Sequence, residues 1–304
     1  MNELEQLLDG IKAHLSGDKE KDLAYLQAQI EAFRGHEFGG EIAKACSQMM
    51  YDMMSDKERD EAVVEMGKDR VVEIRPEEED EEDCQYFSFY EFFEEVMVHE
   101  FVKPQKTVKR SDTPHADIYW ERGTEHMREN HLEAAKECFE QARVWNPVNP
   151  QIAFSYIDCL IKMDLWEDAH RIILDILQYA FRPDSVATSF TYLGKYYLHM
   201  ENRKAAAACF YIVRQYVPED PTAIEELGKL RIGMKQKDIE RVAEKNHFLL
   251  GANPAILALA TGLGEQLFGQ QMIEGAIYCY TIVYGLTRDE KIKELLDGLA
   301  KMNM

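Results

Sequence analysis

"GTEHMRENHLEAAKECFEQARVWNP", Gly123 to Pro147, carries small and aromatic residues at intervals that the chain uses again. Gly123 is followed twelve residues later by Ala135, and then by Phe139, Ala142 and Pro147. A step of 34 residues from Ala135 reaches Ala169, with Ile173 and Ile176 behind it. Beyond a short insertion around "FRPDS" the pattern resumes at Ala206, Phe210, Val213 and Pro218, and once more at Ala276, Tyr280 and Val283. Twelve residues before each of these alanines the marker returns as Ile157, Gly194 or Gly264. Self-similarity at such a period marks a solenoid, in which each unit buries its apolar face only by stacking on its neighbours. A glycine on one helix facing an alanine on the next is expected to let the two backbones approach, so each unit reads as a helical hairpin. The turns fall in "RENH", "KMDLW", "MENR" and "GQQM".

Together these markers resemble the tetratricopeptide repeat, a helix-turn-helix unit with two small positions, an aromatic in the second helix and a proline near the end. The resemblance implies an all-α fold, a right-handed α-solenoid of about five hairpins with a C-terminal capping helix and an N-terminal helical extension. The expected units are residues 116–149, 150–186, 187–220, 221–256 and 257–290, and "KIKELLDGLAKM" reads as the capping helix. The fourth keeps Leu227 and Gly228 but lacks the alanine and aromatic of its second helix. The domains are then an N-terminal helical region, 1–110, holding an acidic and aromatic segment at 76–102, and a repeat array, 111–304.

Resemblance to the family also implies that the first helix of each unit lines a concave groove at fixed phases. Carried residue by residue, those phases are Trp120, Thr124 and Met127, then Phe154, Asp158 and Ile161, then Thr191, Lys195 and Leu198, then Glu225, Lys229 and Ile232. Trp120 and Phe154 are the expected anchors, since aromatics dominate interface energetics. Lys195 and Lys229, 34 residues apart, are expected to stand as neighbouring positive points. Family members that clamp acidic chaperone tails place lysine and asparagine at these inward phases; Trp120, Thr124, Phe154 and Asp158 replace them, so that clamp is missing.

The remaining residues narrow the chemistry. With 56 acidic against 35 basic side chains and a net charge of −21, the chain is a poor match for a phosphate backbone, so nucleic acid is not an expected partner. No apolar run is long enough for a membrane span, and "MNELEQLLDG" carries acids where a secretion signal would carry lysine or arginine, so a cytoplasmic location is expected. Cys138, Cys209 and Cys279 recur at one phase, directly before the aromatic position, which reads as a small buried slot and not a nucleophile. His126, His131, His170 and His199 are dispersed and read as solvated or core residues; no metal site, cofactor or catalytic constellation is expected. Before Arg75 four helices are expected, with Ser55 and Glu58 as a capping box, glycines at Gly35, Gly39 and Gly40, and Met49, Met50, Met53 and Met54 as soft core filling.

"PEEEDEEDCQYFSFYEFFEEVMVHEFVKP" is the odd segment: seven acids, then more aromatic surface than can stay wet. It is expected to dock, either as a helix between the N-terminal helices and the first repeat or as an internal plug in the groove. "KPQKTVKRSDTP" reads as an exposed linker. The functional expectation is a non-catalytic scaffold or adaptor holding a peptide or helix of a partner protein, and a homodimer through the N-terminal region is compatible with the charge. Two other readings stand beside it: an acidic chaperone for a secreted client, similar to those of type III secretion, and an enzyme with an unrecognised N-terminal site.

Overall fold

The computed structural model describes residues 3–33, 42, 45, 46, 49, 50, 53 and 83–302. The chain divides into two compact units, Met1–Glu78 and Glu79–Met304. The rest of the third expected N-terminal helix, the whole of the fourth, the Ser55–Glu58 box, Gly35, Gly39, Gly40, Met54 and the acids Glu77 to Glu82 lie outside the described residues.

In the first unit, α1 (Glu3–Ala13) and α2 (Lys19–Ala32) form as expected. Asp22 ties the turn between them, accepting from the amides of Ser16 and Gly17, each at 2.8 Å. Ile11, Leu26, Ile42 and Cys46 are buried together, and Met49, Met50 and Met53 pack against that cluster. Those three methionines are therefore core filling, as flexible thioethers often are.

The second unit begins with the odd segment, and here the structure corrects the expectation of a plain helix. Cys84–Phe87 is a strand, β1; Phe92–Met97 is a short helix, α3, continued by a π turn over Val98–Val102; Thr107–Arg110 is a second strand, β2. The strands pair in parallel, Cys84 opposite Thr107 and Phe87 opposite Arg110. Parallel strands need a crossover, and α3 with its π turn supplies it. The stretch expected as an exposed linker thus contributes β2. The boundary expected at residue 110 moves to Glu78, because residues 84–110 fold with the array.

The array is the hairpin solenoid that the period predicts. Its hairpins are α4 (His115–Arg128) with α5 (Leu132–Trp145), α6 (Pro150–Lys162) with α7 (Trp166–Tyr179), α8 (Pro183–His199) with α9 (Arg203–Tyr216), and α12 (Pro254–Gly269) with α13 (Ile273–Thr287). A capping helix, α14 (Glu290–Met302), packs on α13. Proline at the first turn and an Asn or Asp cap start several leading helices: Asn149 accepts from the Gln151 and Ile152 amides, Asp220 from Ala223, and Asn253 from Ala255. The "FRPDS" insertion is absorbed as an extra turn at the start of α8, so the third unit opens at Pro183 and not at 187.

Each hairpin turn is built alike. At Asn130, Asp164, Glu201 and Gln271 the backbone enters the left-handed region, with φ of 62°, 60°, 55° and 61°. The next residue donates its amide back across the turn: His131 to the His126 carbonyl, Leu165 to Leu160, Asn202 to Tyr197 and Met272 to Leu267, at 2.8–2.9 Å. That is the Schellman ending, which satisfies carbonyls a helix terminus would otherwise leave bare.

Inside the hairpins the marker glycine lies against the aromatic ring of the second helix: a β-carbon on Gly123 would stand 2.7 Å from Phe139, one on Gly194 2.8 Å from Phe210, and one on Gly264 3.1 Å from Tyr280. In the second unit both positions hold isoleucine, Ile157 and Ile173, and both are fully buried. Fixed volume, shared between two positions, is what close packing demands. The fourth unit breaks the rule and the geometry with it. Gly228 has nothing within 4 Å where a side chain would go. Helix α10 (Pro221–Leu230) stops early at Arg231, and α10 and α11 (Gln236–Asn246) each pack on α9.

Candidate partner-binding face

The leading helices α4, α6 and α8 carry a ladder of side chains at the phases expected to face inward. On α4, Trp120 donates its indole N–H to the Ser155 hydroxyl of α6 at 2.8 Å, and Thr124 returns its hydroxyl to the Trp120 carbonyl at 2.9 Å. On α6, Phe154 stacks on Tyr192 of α8 with centroids 5.6 Å apart. The Tyr192 hydroxyl donates to the Asp158 carboxylate at 2.8 Å, and the Lys195 ammonium lies 4.9 Å from the centre of the same ring. Burial and the neighbouring carboxylate both push the Tyr192 phenol well above its ordinary range, so it remains a donor to Asp158. Met127, Ile161 and Leu198 are half-buried at the base of the same phases, and the Thr191 hydroxyl folds back onto the Ala187 carbonyl.

Three expectations need correction. Phe154 is only 7% exposed, because Tyr192 covers it; it supports the ladder and offers a partner little more than an edge. Lys229 is not a free positive point: it pairs with Glu225 at 2.7 Å and Glu226 at 2.6 Å on its own helix. Ile232 lies past the end of α10, where its carbonyl accepts from the Tyr211 hydroxyl. The ladder therefore runs through the first three units, and Glu225, Lys229 and Ile232 do not extend it. Ser155 and Tyr192 were missed, although they share one phase of the repeat, each three residues before Asp158 or Lys195.

The aromatic segment docks elsewhere, on the turns between units. Phe93 packs on Phe181 at 5.2 Å and Phe101 on Tyr179 at 6.0 Å. Glu94 is almost fully buried and accepts from the Tyr90 amide and from the side-chain amides of Asn146 and Asn149, all within 2.9 Å. Desolvation raises its pKa despite those bonds. Glu91 accepts from Arg182 at 2.7 Å and from the Tyr278 hydroxyl at 2.5 Å, joining the segment to α8 and α13. With these partners on the inter-unit turns, the plug expectation is replaced by a clasp.

Other chemistry is self-contained. An open cleft of about 470 Å³, lined by Lys136, Glu140, Arg143, Tyr156, Asp168 and Arg171, has its cations paired: Lys136 with Glu140, Arg143 with Asp175 and Arg171 with Asp168. Cys138, Cys209 and Cys279 are buried, and burial pushes the Cys138 and Cys279 thiols up to about 11. Unreactive thiols in a packed slot are the result. Among the described residues no helix is long and apolar enough to cross a membrane.

No family model matches the chain, and no curated protein matches it. Among solved structures it is similar to a tetratricopeptide repeat protein from Parabacteroides merdae ATCC 43184, at 14% identity and a TM-score of 0.38, covering 97% of this chain and 98% of that one. It is also similar to the APC/C hetero-tetramer Cut9-Hcn1, at 12% identity and a TM-score of 0.36, covering 99% of this chain and 54% of that one.

Proposed function

We propose that the chain is a non-catalytic scaffold that holds a peptide or helix of a partner protein on the face made by α4, α6 and α8. One observation carries the reading: side chains at matched phases of three successive leading helices are joined into a preorganised ladder whose Asp158 and Lys195 remain exposed. A surface already fixed by its own hydrogen bonds and stacking loses little entropy when a partner binds. The half-buried Trp120 and Met127 give an extended segment or a helix apolar footing, and Asp158 and Lys195 give it charges to match in register. The half-buried row of Met127, Ile161 and Leu198 suits a partner with regularly spaced apolar side chains.

The test is affinity capture with charge reversal on each side of the hairpins. Asp158→Lys with Lys195→Glu should lose the captured protein, by tenfold or more in affinity. Glu137→Lys with Lys204→Glu, at exposed positions on the second helices α5 and α9, should retain it. Equal loss from both pairs, or from the second pair alone, contradicts the assignment.

A further inference from the structure

We infer that the first hairpin turn is a metal site, in which His126, Glu129 and His131 bind a divalent transition-metal ion of the zinc type. The Schellman ending ordinarily carries an apolar contact between the residues that exchange its long backbone bond. Here that pair is Leu160 with Leu165 in the second unit and Leu267 with Met272 in the fifth; in the first it is His126 with His131. The residue two before the closing position is Met163, Met200 or Gln270 in the other hairpins and Glu129 in this one. The turn itself therefore has no need of imidazoles or a carboxylate, yet all three stand together.

Their geometry fits a ligand set. The Nδ1 of His131 lies 3.2 Å from a Glu129 carboxylate oxygen, and the Nδ1 of His126 lies 3.8 Å from the same oxygen. One donor atom from each residue lies within 4.8 Å of the other two. Ligands of a tetrahedral zinc ion with bonds of about 2.1 Å stand about 3.4 Å apart, so small rotations of the partly exposed Glu129 and His131 side chains close the set. His126 is 5% exposed and its Nδ1 has no hydrogen-bond partner, which leaves a buried lone pair or N–H aimed into the cluster. Left as protein alone, that atom carries a desolvation cost that a metal bond removes. Two imidazoles and one carboxylate select zinc-type ions over magnesium or calcium, which take oxygen ligands. Water completes the coordination, and the ion joins the end of α4 to the start of α5.

The experiment uses the full chain, stripped with chelator and held reduced, titrated with CoCl2 and with ZnCl2 in excess MgCl2. One Co2+ should bind with tetrahedral visible absorption, and Zn2+ should displace it and raise the melting temperature. Glu129→Gln and His131→Ala should each weaken Zn2+ binding at least tenfold and remove the melting shift. The double variant His126→Leu with His131→Leu restores the apolar pair of the second unit; it should fold at least as stably and lose the Co2+ spectrum. Unchanged affinity or spectrum in these variants would overturn the assignment, as would displacement of Co2+ by Mg2+ alone.

Discussion

At Gly123 the β-carbon of any other residue would meet the Phe139 ring at 2.7 Å, and at Gly228 it would meet nothing. Two glycines at one phase of one repeat thus have opposite reasons to exist. Gly123→Ala should destabilise the array by about 1–3 kcal/mol, the usual cost of overpacking a filled core against a ring that cannot fold away. Gly228→Ala, inside α10, should stabilise it by about 0.5–1 kcal/mol through the lost backbone freedom of the unfolded chain. Urea unfolding of the two variants beside the parent measures both, and the same sign from both would contradict the packing account. The glycine phase was legible from sequence, but the ring that fills the space beside it was not singled out; the alanines at Ala135, Ala169, Ala206 and Ala276 share the period and are fully buried.

Among the elements, the clasp of residues 84–110 departs furthest from expectation. Its aromatics announced that it must dock; nothing in a run such as "CQYFSFYEFFEEV" told strand from helix, because tertiary pairing with Thr107–Arg110 decides β1. Glu94 shows how the docking is held. Removing its carboxylate strands the Asn146 and Asn149 amides in a buried turn, so Glu94→Ala should cost about 3 kcal/mol. Its folded pKa is raised above the ordinary 4.5, so the folded state holds the proton more tightly than the unfolded chain does. The stability this gives is present below the ordinary carboxylate value and is lost as pH rises through the elevated one. Relative to Glu94→Gln, which keeps the neutral form at every pH, the parent should lose stability as pH rises from about 4.5, the ordinary value. A pH series of melting temperatures checks it; a parent that gains on the variant over that window contradicts the burial of this group.

Over the whole molecule, the period of 34 residues made the solenoid legible, since hairpin existence and order follow from a pattern repeated in register. Its ends and its break were less so. The fourth unit keeps the glycine without the aromatic, and α10 and α11 lie on α9 where a close hairpin would be expected. The ladder of the proposed face was legible in part: the repeat phases pointed to Trp120, Asp158 and Lys195, which the structure joins through Ser155 and Tyr192, whereas Lys229 pairs with the i, i+3 and i, i+4 glutamates of its own helix. We propose that a partner segment lies along α4, α6 and α8. Photo-crosslinking residues placed singly at Thr124, Asp158 and Lys195, and at Glu137, Arg171 and Lys204 on the second helices, measure it directly. Crosslinks are expected from the first three positions to one segment of one partner and none from the second three. Crosslinks concentrated at Glu137, Arg171 and Lys204 would contradict it.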